Sequence, residues 1–122
     1  MFFDGGVNMK INKGFIGGAT DLLLLNLINE KDMYGYEIIS ELETKSDKVF
    51  KFKEGTLYPI LHRLENSGYL KSYKAKGDTG RQRKYYEITK KGKNQLVEEK
   101  QQWEVFSKSM NKIIVGDEYE LL

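Results

Sequence analysis

A mainly helical α+β fold is expected for this chain from three features of its sequence. Four segments carry apolar residues at helical spacing. Two short alternating segments, separated by turn residues, lie between the third and the fourth. The single proline, Pro59, stands near the start of the third helical segment, inside "KEGTLYPILHRLENSGYL".

The first helical segment is "GATDLLLLNLINEKD". Leu22 to Leu25, Leu27 and Ile28 are apolar nearly all round, which implies burial on more than one side. Lys31 and Asp32 end it. The second is "YGYEIISELETK", with Tyr36, Ile39 and Leu42 on one face, Ile38 beside them, and Glu37 and Glu41 opposite. A polar connector, "SDKVFKFKEG", carries Val49, Phe50 and Phe52 to the third helix.

In the third helix, Leu57, Ile60, Leu61 and Leu64 form one apolar face. Thr56 reads as its N-cap. Pro59 then falls in the first turn, where helix N–H groups have no intrahelical acceptor, so proline loses nothing and presets φ. Gly68 is the expected terminator. Leu70 to Ala75 and Arg83 to Ile88 alternate as strands, and "KGDTGRQ" between them supplies turn chemistry. With Tyr86 and Ile88 facing the core of this hairpin, Arg83, Tyr85 and Glu87 face out.

Thr89 reads as the N-cap of a last helix reaching Gly116, with Gly92 a weak point in its first turn. Leu96, Glu99, Trp103, Phe106, Met110 and Ile113 step by three and four, a heptad-like seam with one charged member. A helix of roughly 25 residues is about 37 Å long. The rest of the domain cannot cover such a rod, so the seam calls for a partner, most simply a second copy.

Three helices followed by a hairpin make a winged helix-turn-helix. The expected divisions are a flexible tail at 1–13, a winged helix-turn-helix DNA-binding domain at 14–89, a C-terminal dimerisation helix at 90–116 and a tail at 117–122. In such folds the third helix enters the major groove by its N-terminal end. Its outward positions are Tyr58, Pro59, His62, Arg63 and Asn66.

The charge distribution agrees. Net charge is only +2, yet residues 51–93 hold 12 Lys+Arg against 4 Asp+Glu, and both flanking portions are acidic. A basic middle suits a polyanion; a solvated lysine-rich surface is the alternative. The candidate backbone contacts are Lys51, Lys53, Lys74, Lys76, Arg81, Arg83 and Lys84, with the Tyr34 hydroxyl and Thr56 as lesser ones. Tyr58 either meets DNA or packs on the connector, and Arg63 either holds a phosphate or pairs with an acid inside the fold.

Other functions fit poorly. The chain has no cysteine and one histidine, His62, which excludes a disulfide framework, a thiolate metal site and a histidine pair. It has no glycine-rich phosphate loop and no paired carboxylates in a recognisable setting, so an enzyme is not expected, and no cofactor is. An adaptor for protein or RNA that reuses the winged fold remains the alternative. The apolar run Leu22 to Leu25 is far too short to span a membrane, and "MFFDGGVNMK" lacks the features of a signal peptide, so a cytoplasmic location is expected.

"YGYEIISEL", "GTLYPILHRLENSGYL" and "RQRKYYEITKKG", in this order over about residues 17–93, resemble the PadR family of bacterial transcriptional regulators. A single C-terminal helix is similar to its smaller subfamily. The resemblance implies a homodimeric repressor on a pseudo-palindromic operator, of a kind often released by small aromatic compounds. Members of that subfamily often carry a tryptophan at the dimer interface, where Trp103 would fall. Leu22, Leu96, Trp103, Phe106, Met110 and Ile113 are the expected interface, with a planar aromatic ligand as a second occupant.

Overall fold

The computed structural model describes residues 19–116; both expected tails lie outside them. The order is α1 (Thr20–Glu30), β1 (Met33–Tyr34), α2 (Gly35–Lys45), α3 (Glu54–Asn66), β2 (Leu70–Lys76), β3 (Gln82–Ile88) and α4 (Lys90–Ile114). The strands form an antiparallel sheet in the order β1-β3-β2. The winged helix-turn-helix with a long last helix is therefore present, and mainly helical.

Leu24, Leu25 and Ile28 of α1, Ile38 and Leu42 of α2, and Leu57, Leu61 and Leu64 of α3 form the core. Leu70, Tyr86 and Ile88 close it from the sheet. Tyr86 and Ile88 do face inward, so the hairpin register follows the alternation of the sequence. Gly68, at φ 83, ends α3: the Tyr69 N–H donates to the Leu64 carbonyl and the Gly68 N–H to that of Glu65, at 3.0 Å each.

Four expectations are corrected. First, α3 begins at Glu54, so Thr56 is not its cap. Lys53 takes the extended conformation instead, and its carbonyl accepts from the Thr56 and Leu57 N–H groups at 3.0 Å each. Pro59 is then the sixth helical residue and leaves the Gly55 carbonyl without its usual donor. Both residues are exposed, so water can bond that carbonyl and most of the usual penalty is avoided.

Second, Gly92 is not a weak point but a packing requirement. The Thr89 hydroxyl caps α4 by accepting from the Gly92 N–H at 3.0 Å, and also donates to the Gly68 carbonyl at 2.6 Å. This draws the first turn of α4 onto the end of α3. A Cβ on Gly92 would lie 2.1 Å from the Tyr69 carbonyl oxygen.

Third, Leu96 is 3% exposed and belongs to the chain's own core rather than to an open seam. The start of α4 packs against α1, which uses up the first position of the heptad pattern. Leu22 is likewise partly buried against that core. Fourth, Tyr36 leaves the apolar face on which periodicity placed it and is 62% exposed. Tyr34 just before it pairs with Tyr85 in a two-residue strand too short to show any period. That pairing fixes the start of α2 and turns Tyr36 outward.

Candidate nucleic-acid interface

An open cleft of about 820 Å³ separates α3 from the wing. Glu54, Tyr58, Pro59 and His62 line it from α3; Gln82, Arg83, Lys84 and Tyr86 of β3, with Arg81 just before them, face them. Tyr34, Gly35 and Tyr36 form its end. Tyr58, Pro59, His62, Arg81, Arg83 and Lys84, expected at DNA, thus come together on one surface, whereas Thr56, Arg63, Lys74 and Lys76 do not line it.

Tyr58 is seated by Gly35. A Cβ on Gly35 would lie 2.4 Å from the Tyr58 ring and 2.7 Å from its hydroxyl oxygen. The ring therefore packs on the α2 backbone, while remaining 41% exposed and lining the cleft. Burial pushes the Tyr58 phenol above its ordinary value, and Glu54 adds to this. It stays protonated at neutral pH and can donate to a phosphate or a base edge. Gly35 is a packing position at the cleft that the sequence did not disclose, since "YGY" has no spacing that names its target. Gly35→Ala should displace the Tyr58 ring and weaken duplex binding more than it lowers thermal stability, a difference that anisotropy titration and a melt would separate.

Arg63 points elsewhere. Its Nη1 donates to Asp21 Oδ2 at 3.1 Å and its Nη2 to Oδ1 at 2.5 Å, a bidentate pair that ties α3 to α1. The hydrogen bonds from the guanidinium to Asp21 hold its pKa above the ordinary value. Lys51 and Lys53 are exposed immediately before α3.

On the wing, β2 and β3 divide their basic residues by alternation. Lys74 stands directly across from Lys84, and Lys76 from Gln82, on the sheet face toward α3. Lys84 is steadied by Glu65 of α3 at 3.5 Å. Like charges directly opposite in a sheet are destabilising, and the Glu65 carboxylate offsets this at Lys84. The opposite face carries Tyr34, Tyr85 and Tyr73 in one cross-strand row. Tyr73 donates to Asp32 Oδ2 at 2.5 Å. That hydrogen bond holds the phenol up at about 12, against an ordinary value of 10. The folded state favours the protonated phenol, so this stabilisation is present below pH 10 and lost as pH rises toward 12. Alkaline difference titration of the wild type against Tyr73→Phe should show one phenol missing from the latest-titrating group.

The outer half of α4 is uncovered. Trp103 is 49%, Phe106 56% and Ile113 83% exposed, and Met110 is open as well. The Trp103 and Phe106 rings lie 5.9 Å apart. Glu99, the charged member of the seam, accepts from Gln95 at 3.2 Å through Oε1. Its Oε2 is shielded from water with no hydrogen-bond partner among the described residues.

Among the described residues no group of acidic or histidine side chains could hold a metal ion, and no helix is long and apolar enough to cross a membrane.

Comparison with known proteins agrees with this geometry. A transcriptional regulator of Mycobacterium tuberculosis is 31% identical over 96 residues, spanning 79% of this chain and 86% of that protein. A solved transcriptional regulator from Clostridium thermocellum superposes with a TM-score of 0.77 at 38% identity, covering 85% of this chain and 98% of the other. A PadR-like regulator from Bacillus cereus gives a TM-score of 0.77 at 31% identity, covering 85% and 99%. The family model described as the transcriptional regulator PadR-like family matches residues 24–98. With a helix-turn-helix, a basic wing and a family match through both, this chain belongs to the PadR-like family of DNA-binding transcriptional regulators, which are not enzymes.

Proposed function

We propose that the protein is a cytoplasmic repressor that binds a pseudo-palindromic operator as a homodimer joined through α4 and is released by a planar aromatic ligand. The observation that carries the DNA-facing half is the cleft. The exposed face of α3 and a strand with apposed lysines converge there, around a phenol kept protonated. The open Trp103–Phe106–Met110–Ile113 face supports the dimer.

Tyr58, Pro59 and His62 are the residues proposed to enter the major groove. Lys74, Lys76, Arg81, Arg83 and Lys84 hold phosphate or the minor groove, with Lys51 and Lys53 at the foot of α3. Arg63 serves the fold through Asp21. Two copies related by a two-fold axis present two α3 helices to successive major grooves. The half-site centres are then about 34 Å, or roughly 10 base pairs, apart, or a multiple of this. Site selection followed by footprinting tests the proposal; a single half-site bound by a monomer would refute it.

Salt separates the two kinds of contact. Arg81→Ala should lower the slope of log K against log salt by about 0.9 and weaken all sequences alike. Tyr58→Ala should weaken the selected site more than mixed-sequence DNA. An unchanged slope for Arg81→Ala would mean that the wing does not touch the backbone.

In the dimer, Trp103 from each copy provides a flat apolar wall, and a planar guest between them would change the angle between the α4 helices. A ligand that prefers the misaligned state lowers DNA affinity. Trp103 is the one tryptophan in the sequence, so its fluorescence reports on the site. Quenching by an aromatic compound without loss of DNA binding would refute ligand release.

A further inference from the structure

Arg83 differs from the other basic residues of the wing in being held on two sides. Its guanidinium carbon lies 4.3 Å from the centroid of the Tyr34 ring. On the other side is Gly77, where an added Cβ would be 3.2 Å from Arg83 Nε and 3.3 Å from the Tyr85 hydroxyl. Tyr34 is itself braced. Its ring meets Tyr85 edge-on at 5.5 Å, and Tyr85 stacks on Tyr73 at 5.7 Å with an interplanar angle of 12°. The hydrogen bond from Tyr73 to Asp32 closes the row against the segment that precedes β1. Arg83 is half-buried where Arg81 is exposed, and both line the cleft.

We infer that Tyr34 is a positioning residue for Arg83: its ring is a platform that holds the guanidinium at the mouth of the cleft before DNA arrives. The inference rests on the DNA-binding reading above. A free arginine side chain loses rotamer freedom when it engages a phosphate or the minor groove; here the ring contact makes part of that ordering in advance. The two-residue strand β1 has a purpose on this account. Pairing Tyr34 with Tyr85 sets the platform diagonally beside Arg83, two residues along β3 on the same face. The Tyr34 hydroxyl is not needed for this, whereas the ring is.

The test uses the full chain and a fluorescein-labelled, mixed-sequence duplex about three helical turns long. Tyr34→Phe keeps the ring and should bind far closer to the wild type than Tyr34→Leu does, losing at most one hydroxyl contact. Tyr34→Leu removes it and should weaken binding roughly fivefold. In an Arg83→Ala background, Tyr34→Leu should cost nothing further, because it acts only through the guanidinium. Free in solution, the Arg83 side-chain protons should show an upfield ring-current shift, kept in Tyr34→Phe and lost in Tyr34→Leu. An additive cycle, Tyr34→Phe as damaging as Tyr34→Leu, or unshifted Arg83 protons in the wild type would each overturn the platform. Thermal melts identify a variant that has lost its fold, and the wild-type shift and Tyr34→Phe remain decisive in that case. Failure of the wild type to bind any duplex overturns the DNA reading and the purpose of the platform together.

Discussion

Gly92→Ala should be among the most destabilising single substitutions in this chain, by about 3 kcal/mol. The added methyl group would sit 2.1 Å from the Tyr69 carbonyl oxygen and 2.7 Å from the Ile88 side chain. The carbonyl cannot step aside, because it accepts a hydrogen bond from the Thr89 N–H at 3.0 Å. Relief requires α4 to lift away from the hairpin, taking Leu96 out of the core. For a domain of this size the melting temperature should fall by on the order of 10–20 °C. Gly55→Ala is the matched control. Nothing lies within 4 Å of its added Cβ, so it should be neutral or stabilising by up to about 1 kcal/mol. Melts of both variants at one protein concentration decide the matter, since a dimer's melting temperature depends on concentration. Equal stability of the two variants would show that the junction of α3, the wing and α4 is looser than its geometry.

Ile113→Glu should abolish the proposed dimer and, with it, tight operator binding. The side chain is 83% exposed in the single chain, so the substitution costs the isolated fold little. In a two-fold seam it would bring carboxylates into an apolar interface without partners. Sedimentation should then report a monomer at micromolar concentration. Operator affinity should drop by roughly 10²–10⁴, because the second half-site no longer benefits from its tethered neighbour. Mixed-sequence DNA should be bound about as well per chain as before. A dimeric Ile113→Glu protein would move the interface elsewhere on the molecule.

These two substitutions lie on the same helix and differ in how far the sequence disclosed them. The apolar face left open along α4 was legible, because apolar residues stepping by three and four along a rod too long for its body can be counted without a structure. Its first position was not: Leu96 obeys the same period as Trp103, and only the packing of α4 on α1 sends one inward and leaves the other open. Gly92 was legible only as a poor helix former. The reason for a glycine there is a carbonyl from residue 69, and no local pattern reports a contact between elements.

The candidate interface divides in the same way. Four helices, the hairpin, its inward residues and the basic middle follow from periodicity, turn chemistry and charge, which act over a few neighbouring residues. The sequence by itself therefore determined the winged helix-turn-helix and the surface that could meet a polyanion. Where each side chain goes was decided by tertiary structure. Arg63 and Asp21 are far apart along the chain and adjacent in space; Tyr58 rests on Gly35 and Arg83 on Tyr34. Lys53, rather than Thr56, opens α3 because the backbone entering it is already extended there. Each of these depends on how two elements close on one another. That closure is set by the shared core, which burial of Leu57, Leu61, Tyr86 and their neighbours fixes only when the whole chain has folded.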